Sequence, residues 1–281
     1  MSSCNAPFLF FSSIMRHRLS LIILPLLLLT GLNSCLSLPK NAGTPDDLMV
    51  RQRPKNSVVI DHQHYSLSFN TERLVPNWVS WQLTRKEAST ITVKRRNKFL
   101  PDPMVGKEYR VEDSDYSGEL KHTSIHLSRG HMAPFAEMRF DSTAADECFL
   151  LTNICPQSAT LNAGDWGTLE TICREKWAMK DSCIYIVCGP IFRAKEVETI
   201  GKRHKVAVPD AFFKVVLSLK KGEEKAIGFI FENNNDRQPY DKAVHSVNDI
   251  ERITGFDFFD WLPNRMERRL EKQADISQWE R

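Results

Sequence analysis

The chain has 281 residues, of which 42% are hydrophobic and 26% are charged, and its formal net charge is +3. This length and composition are sufficient for a sizeable buried core and exclude a low-complexity or fibrous protein. The nearly neutral balance gives no argument for a nucleic-acid partner, so local clusters of residues must carry any such argument.

The N-terminal part of the chain has the pattern of an export signal. Arg16 and Arg18 precede an apolar run over residues 21–29, and small residues then lead to Cys35. A basic region, a short apolar run and small residues before a cleavage point are typical of a secretory signal peptide. The alternative is a membrane-spanning helix, but a span needs about 20 apolar residues. This run is shorter, and Pro25 interrupts it.

We therefore predict a signal peptide over residues 1–34, of the lipoprotein type. The sequence Leu-Asn-Ser-Cys resembles a lipobox, in which Cys35 is lipidated and becomes the first mature residue. Residues 35–57 contain several prolines and polar residues and are expected to form a flexible tether, followed by a folded domain over 58–281. The protein is then exported, either to the cell envelope (lipid-anchored, in the periplasm or at the outer membrane) or out of the cell. Its membrane contact is then through the anchor alone.

The cysteine count adds one expectation. Five cysteines follow Cys35 in the sequence. Export permits disulfide bonds, so we expect one or two bridges and a free thiol among them.

Taken in chain order, the rest of the sequence predicts strands with helices inserted between them. Apolar alternation and β-branched runs predict strands within 65–83, 127–134, 149–154, 184–187, 212–219 and 226–231. Helices are predicted at 143–147, 165–178 and 247–253, before a charged C-terminal helix. The second of these helices is amphipathic, with an apolar side formed by Trp166, Leu169, Ile172, Cys173 and Trp177. The pattern predicts one α+β domain with sheet layers and packed helices.

Three motifs between residues 128 and 174 contain most of the chemically useful side chains. Ser-Arg-Gly-His-Met-Ala-Pro covers 128–134, Thr-Asn-Ile-Cys-Pro-Gln covers 152–157, and Asn-Ala-Gly-Asp-Trp begins at Asn162, ahead of Glu170. In this order they resemble the family of DNA/RNA non-specific endonucleases, which includes secreted bacterial nucleases and mitochondrial relatives. Each motif alone would be weak, but the ordered set is specific. The resemblance extends over residues 65–270 and implies a ββα-metal core with antiparallel sheet layers.

The residue chemistry agrees with that implication. Phosphodiester hydrolysis needs a base for water, positive charge at the developing phosphorane and help for the leaving oxygen. His131 is the candidate base, because the pKa of histidine lies near the working pH, and Arg129 is a candidate phosphate ligand. The alternative for His131 is a structural core histidine. Gly130, which allows close backbone approach, favours the catalytic role. The remaining histidines are expected on the surface, among them His122, His126 and His204.

Asn162 has two interpretations. By spacing alone it is the N-cap of the following helix, with Asp165 near the capping-box position. The resemblance implies instead that its side-chain oxygen holds a divalent metal. Mg²⁺ prefers oxygen ligands and keeps several waters, so one protein ligand suffices. We predict Mg²⁺, with Mn²⁺ as a substitute, stabilising the phosphorane charge and the leaving oxygen.

Glu170 and Arg174 lie four residues apart, so they share one face of the predicted helix. They could form an ordinary surface ion pair. The resemblance implies that Glu170 fixes water at the metal and that Arg174 contacts the phosphate. It also implies a supporting role for Asn153, whose alternative is a turn residue at a strand end. Arg96 is implied as a further phosphate ligand, and its alternative is a solvated charge at a strand edge.

Position 128 departs from the commonest family pattern. Most members carry aspartate where this chain has Ser128, although some mitochondrial relatives carry serine. A carboxylate would fix the tautomer of the nearby His131 more strongly than a hydroxyl group does. The orientation of the base is therefore the property that this substitution affects.

The predicted activity is hydrolysis of DNA and RNA without sequence preference. The implied contacts are all with phosphate and metal, which position a nucleic acid without reading its bases, and no recognition-helix or zinc-finger motif is present. One alternative is a catalytically inactive envelope lipoprotein that binds nucleic acid with the same fold. It predicts loss of the base, the metal ligand or the helix glutamate, and all three are present.

A second alternative is an envelope metallohydrolase with another substrate. It is disfavoured because H-E-x-x-H, G-x-S-x-G and P-loop motifs are missing from the sequence. Homodimers are common in the family, and the sequence shows no interface.

Overall fold

The computed structural model describes residues 49–50, 54–95, 98–118, 120, 125–193 and 196–280. Within these ranges, seven strands form a central antiparallel sheet in the order β1-β2-β3-β6-β9-β10-β11. The strands of this sheet are β1 Ser57–Asp61, β2 Ser66–Asn70, β3 Pro76–Thr84, β6 Cys183–Ile191, β9 Ala211–Ser218, β10 Lys225–Glu232 and β11 Val244–His245.

Both faces of this sheet are buried, and alternate residues of each long strand face different cores. On β9, Phe212 and Val216 pack into the first core, whereas Phe213 and Val215 pack into the second. The side-chain period of two along a strand produces this division. The first core lies between the sheet and the motif-bearing elements, and the second lies on the other face, where it includes the helical residues Val247, Ile250 and Leu270.

The motif-bearing elements form a ββα unit on the side of the first core. A two-stranded antiparallel sheet pairs β4 with β5, and a helical segment follows directly. The elements of this unit are β4 Leu127–His131, β5 Ile154–Ser158, α5 Ala159–Ala163, α6 Asp165–Ile172, a π-helical turn Cys173–Trp177 and α7 Ala178–Asp181. The predicted amphipathic helix is confirmed, because its five apolar side chains are all buried.

Short elements complete the described fold. Before the ββα unit and inside it lie α1 Arg85–Ser89, α2 Asp113–Tyr116, α3 Phe135–Met138, α4 Ser142–Glu147 and a 3₁₀ turn Leu151–Asn153. After it come β7 Thr199–Ile200, β8 Val206–Ala207, a 3₁₀ turn Tyr240–Lys242, α8 Val247–Thr254, α9 Asn264–Glu271 and α10 Ser277–Glu280. The prediction of an α+β domain is confirmed.

The strand predicted over 149–154 is wrong. Leu151–Asn153 form a 3₁₀ turn, and the strand begins at Ile154 and passes through Pro156. The predicted strand stopped before this proline. Because β5 pairs with β4 alone among the described residues, one of its edges has no strand that would need the missing N–H group, and an edge strand tolerates proline.

The folded part of the chain begins earlier than the predicted tether allows. Met49 and Val50 fall within residues 35–57, yet both are buried in the second core. Val50 forms an antiparallel bridge with Phe258, and Phe259 N–H donates to Met49 O at 2.9 Å. Two apolar residues of the tether thus belong to the domain.

The predicted signal peptide and the lipidation of Cys35 lie outside the described residues. In the part of the chain that is described, no helix is both long and apolar enough to cross a bilayer.

The cysteine expectation needs correction. Cys183 is disulfide-bonded. Among the described cysteines, four rather than one are free, and all four are buried: Cys148, Cys155, Cys173 and Cys188. Burial raises the pKa of the thiols of Cys148 and Cys188 to about 12, which leaves them protonated at neutral pH.

Candidate active site

The pairing of β4 with β5 brings the first two motifs side by side. His131 lies opposite Ile154, and Gly130 lies opposite Cys155. A Cβ atom on Gly130 would lie 2.3 Å from Oε1 of Gln157 and 2.6 Å from its Cβ atom, so the position requires glycine. The close approach of Gln157 therefore locks the two strands in the register that places His131 beside the second motif.

His131 lies at the end of β4 in an aromatic surrounding. Its ring centroid is 5.4 Å from that of Phe99 and 4.9 Å from that of Phe149. The side chain is 8% exposed, and its Nε2 atom is buried with no hydrogen-bond partner among the described residues. Burial, reinforced by the charge of Arg95, lowers the pKa of His131 to about 3. The imidazole is therefore neutral, which is the form that accepts a proton.

Asn153 fixes the backbone that follows His131. Its Oδ1 atom accepts from Ala133 N–H at 2.9 Å, and its Nδ2 atom donates to Ala133 O at 2.9 Å and to Cys148 O at 2.8 Å. Its own carbonyl oxygen accepts from Met132 N–H at 3.0 Å. These bonds are buried, so they give Asn153 a clear structural link to the base. Its implied supporting role stays a prediction.

A buried polar network contacts Thr152, the chain neighbour of Asn153. Thr152 donates from Oγ1 to Asp102 Oδ2 at 2.5 Å, and His62 Nε2 lies 3.0 Å from the same oxygen. Burial lowers the pKa of His62, but hydrogen bonds to Asp102 and Glu147 and the charges of both carboxylates outweigh burial and raise it to about 9. The members of this network are far apart in the chain, so no local sequence pattern indicates it.

Asn162 does not cap the following helix. It lies inside α5, and the N-cap of α6 is Gly164, which makes no side-chain cap bond. Asp165 accepts from Gln238 N–H at 2.7 Å and pairs with Arg237, so it does not complete a capping box. The side chain of Asn162 is half-buried, and its Nδ2 atom donates to Ser128 Oγ at 3.0 Å.

The turn between α5 and α6 explains the glycine of the third motif. A Cβ atom on Gly164 would lie 2.5 Å from the carbonyl oxygen of Thr160. Glycine therefore allows α6 to start directly after α5, and this sets the position of Asn162 relative to the helix that carries Glu170.

Glu170 and Arg174 lie where α6 passes into the π-helical turn. Arg174 is buried, and its Nη2 atom pairs with Glu175 Oε1 at 2.8 Å. Burial raises the pKa of Glu170 to about 8; the charge of Glu137 adds to this rise, and the positive charges of Lys214 and Arg174 oppose it. A raised carboxyl pKa in a cleft is typical of functional sites, and π-helical turns often occur at them.

Arg129 lies on the same face of β4 as His131, two residues away. Its guanidinium carbon is 5.2 Å from the ring centroid of Phe99, which also contacts His131. Asp113 Oδ1 pairs with Arg129 Nη2 at 2.8 Å, and Ser117 Oγ accepts from Nη2 at 2.9 Å. The cation is thus held beside the base but partly neutralised.

Arg96 lies outside the described residues. Its neighbour Arg95, which the sequence analysis did not single out as a site residue, is described and acts electrostatically on His131. Its guanidinium carbon lies 5.4 Å from the ring centroid of Phe149. The shared aromatic neighbour of Arg95 and His131 was not visible in the sequence.

The described histidines outside the motifs differ in their exposure to solvent. His126 is exposed, as expected. His204 is buried, and its Nδ1 atom lies 2.7 Å from Asp115 Oδ2, so its prediction as a surface residue is wrong. Asp115 is 89 residues away in the chain, and such a pairing leaves no local signal. His122 lies outside the described residues.

The donors at this site fit a hard divalent cation. In the described part of the chain, no group of three His, Cys, Asp or Glu side chains could hold a metal ion. Because the Asn162 amide nitrogen is engaged by Ser128, its Oδ1 atom is the ligand that remains. One neutral oxygen ligand suits Mg²⁺, which keeps most of its waters, better than zinc, which needs three or four protein ligands.

The comparisons with known proteins agree with this geometry. The family model for DNA/RNA non-specific endonucleases matches residues 47–265. The chain therefore belongs to the DNA/RNA non-specific endonuclease family. A solved structure described as the EndoG/EndoGI complex has a TM-score of 0.67 and 27% identity, over 74% of this chain and 88% of the matched chain. The predicted ββα-metal fold is confirmed.

Relatives named as nucleases match most of the described chain. The nuclease of Nostoc sp. is 30% identical over 264 residues, covering 88% of this chain and 89% of the relative. Nuclease C1 of Cunninghamella echinulata is 31% identical over 220 residues, covering 72% of this chain and 83% of the relative. The mitochondrial nuclease EXOG of Xenopus laevis is 32% identical over 213 residues, covering 71% of this chain and 57% of its own length. The chain thus spans little more than half of that relative. At the level of the family, the predictions of family membership and of a nuclease are confirmed.

Proposed function

We propose that the protein is a metal-dependent endonuclease that hydrolyses phosphodiester bonds of DNA and RNA without sequence preference. The observation that carries this proposal is the position of a buried, neutral His131 on the same short strand as Ser128, which binds the side chain of Asn162. The proton acceptor and the residue that orients the metal ligand thus lie three residues apart on one strand.

His131 acts in this proposal as the general base. Its Nε2 atom is buried, so we assign the proton taken from the attacking water to Nδ1. The water oxygen forms the new bond to phosphorus, and the bond from phosphorus to the leaving oxygen breaks. A pKa of about 3 makes the free imidazole a weak base. A bound phosphate diester brings negative charge to Arg95 and His131, and this raises the pKa of the imidazole toward the working range.

The cations and polar groups around the base hold the substrate. Arg129 and Arg174 would contact phosphate oxygens, which gives binding without base readout. Asn162 would hold Mg²⁺ through Oδ1, and the ion supplies positive charge for the phosphorane and the leaving oxygen. Glu170, in its ionised form, would orient water at this end of the site. Asn153 keeps the backbone of the base in place.

We further propose that the protein is exported and anchored to the envelope by a lipid at Cys35. The support for this proposal is the sequence pattern of residues 16–35. Mass spectrometry of protein purified from membranes tests it. A lipid-modified N-terminal peptide beginning at Cys35 is expected, and an unmodified peptide beginning elsewhere would contradict the lipid anchor. Size-exclusion chromatography with light scattering on the same sample gives the oligomeric state.

The test of the activity is incubation of the purified protein with supercoiled plasmid and with RNA, in Mg²⁺ or in chelator. We expect both substrates to be cleaved in Mg²⁺ and neither in chelator. His131→Ala is expected to lower the rate by roughly 10²- to 10⁴-fold, as for loss of a general base. His126→Ala, an exposed histidine five residues away, is the matched control and should cleave normally. Tight binding without cleavage in the unmodified protein would instead support a nucleic-acid-binding module.

A further inference from the structure

Lys214 lies in the first core behind the candidate site. The residue is on β9 and is 0% exposed. Its Nζ atom has no hydrogen-bond partner among the described residues and lies 4.3 Å from the ring centroid of Trp166 and 5.2 Å from that of Trp81. A buried ammonium without hydrogen bonds costs free energy of folding unless nearby negative charge stabilises it. The position of Lys214 in the core therefore needs an explanation.

The two glutamates that act electrostatically on Lys214 belong to the two halves of the site. Glu137 lies on α3, which begins directly after the first motif, and is 1% exposed. Its Oε2 atom accepts from Trp81 Nε1 at 2.8 Å, and its Oε1 atom has no partner in the described part of the chain. Glu170 lies on α6, one turn after Trp166. The two tryptophans that contact Lys214 therefore connect it with the elements that carry the two glutamates.

The charges of this cluster act on one another. Burial lowers the pKa of Lys214, but the negative charges that Cys188, Glu170, Cys173 and Glu137 carry when ionised raise it, and the net direction is upward. Lys214 is therefore an ammonium ion at neutral pH. For Glu170 the signs are reversed, because Glu137 raises its pKa and Lys214 lowers it.

We propose that Lys214 is a positioning residue for this site. Its buried ammonium, balanced by Glu137, is the internal counter-charge that opposes protonation of Glu170, whose ionised carboxylate would orient water beside the ion held at Asn162. The inference rests on the function proposed above. The charged or titratable groups that face Glu170 come from four elements and are Arg174 and Cys173 of the π-helical turn, Glu137 of α3, Cys188 of β6 and Lys214 of β9.

The experiment uses the opposite effects of Lys214 and Glu137 on the pKa of Glu170. Lys214→Met removes the counter-charge and leaves two carboxylates in the cluster. Glu137→Gln removes the competing carboxylate and keeps an oxygen that can accept from Trp81. The titration of Glu170 is measured by ¹³C NMR of its side-chain carboxyl carbon in metal-free protein, with Glu170→Gln identifying the resonance. This measurement does not depend on activity.

We expect Lys214→Met to move the titration midpoint of Glu170 upward by about one pH unit and Glu137→Gln to move it downward by a similar amount. The double variant should return close to the midpoint of the unmodified protein. In Mg²⁺, the acidic limb of the pH–rate profile should move in the same directions. A residue that merely fills space would change stability without producing shifts of opposite sign.

Lys225→Met is the matched control. Lys225 is also buried, on the neighbouring strand β10, and pairs with Asp181 at 2.9 Å. Its loss should lower the free energy of unfolding and leave the titration of Glu170 unchanged. If Lys214→Met alone does not fold, the double variant, which removes one charge of each sign, carries the test, because its Glu170 midpoint relative to that of Glu137→Gln reports the effect of Lys214.

Two results would overturn the inference. The first is an unchanged titration midpoint of Glu170 in either single variant, and the second is a shift of that midpoint in the same direction in both. The proposed function fails separately, if the unmodified protein does not cleave nucleic acid in Mg²⁺. In that case shifts of opposite sign would still establish Lys214 as the counter-charge of Glu170.

Discussion

The amide nitrogen of Asn162 donates to the hydroxyl oxygen of Ser128 at 3.0 Å, across 34 residues of chain. Ser128 in turn donates to Gln157 O at 3.1 Å. This chain of bonds joins the third motif to the first two. It also fixes the rotation of the Asn162 amide, so that its oxygen is the atom left for a metal. Serine at position 128 can therefore orient the metal ligand, although aspartate is commoner in the family.

Ser128→Ala should weaken metal binding without removing the base. The substitution removes the acceptor that orients Asn162, and loss of such an outer partner typically costs about tenfold in metal affinity. We expect the Mg²⁺ concentration for half-maximal rate to rise roughly tenfold, with the rate at saturating Mg²⁺ largely retained. Asn162→Ala is the comparison and should lose activity at all Mg²⁺ concentrations. An unchanged Mg²⁺ dependence in Ser128→Ala would contradict the orienting role.

Asn153→Ala should be costly in both stability and rate. The side chain makes three buried hydrogen bonds with backbone groups of Ala133 and Cys148, and their loss leaves these groups unpaired. We expect the free energy of unfolding to fall by about 3 kcal/mol or more, and the rate of the folded variant to fall about a hundredfold because the backbone of His131 shifts. Urea unfolding and steady-state kinetics measure the two effects. Asn248→Ala, at an exposed position of α8, is the control and should leave both nearly unchanged.

Glu175 should compete with substrate for Arg174. The two side chains form an ion pair at 2.8 Å, and Glu175 is largely exposed. Glu175→Gln releases the guanidinium, so we expect a lower KM for nucleic acid and little change in kcat. Arg174→Gln should raise KM and reduce the slope of log affinity against log salt by about one, as for one lost phosphate contact. Lys176→Gln, an exposed cation on the same turn, controls for general charge. Equal effects of Arg174→Gln and Lys176→Gln would argue against a specific contact.

The buried neutral His131 should make the protein sensitive to acid. Its pKa is lowered from 6.5 to about 3 in the folded chain, so the stability it contributes is present above pH 6.5 and is lost as the pH falls toward 3. In this window the unfolded chain binds the proton and the folded chain does not, which costs about 1.4 kcal/mol per pH unit.

His131→Phe replaces the imidazole with an apolar ring beside Phe99 and Phe149 and removes this dependence. The difference in free energy of unfolding between the two proteins, measured from pH 7 to pH 4, separates the contribution of His131 from that of the other titrating groups. A difference that does not change with pH would show that His131 is protonated in the folded chain.

The sequence was most informative where function depends on short motifs. The order of the three motifs predicted the family, the base His131 and the interpretation of Asn162 as a ligand rather than a cap. The apolar period of 3.6 predicted the buried side of α6, because one helix face must pack against the sheet. Local rules failed at Pro156, whose tolerance depends on β5 lying at an edge.

The tertiary structure decided the contacts that join distant parts of the chain. It paired His204 with Asp115, attached Met49 and Val50 to the C-terminal segment, and placed Lys214 between Trp81 and Trp166.

The physical reason is the range of the forces involved. Motif spacing and side-chain period record what neighbouring residues need from the backbone, and these requirements are local. The charge state of a buried group depends on which residues surround it in space. Thus the sequence alone determined which side chains could perform the chemistry. The tertiary structure, which packs Trp166 of α6 against Lys214 and bonds Glu137 of α3 to Trp81, decided that Glu170 faces both a carboxylate and an ammonium.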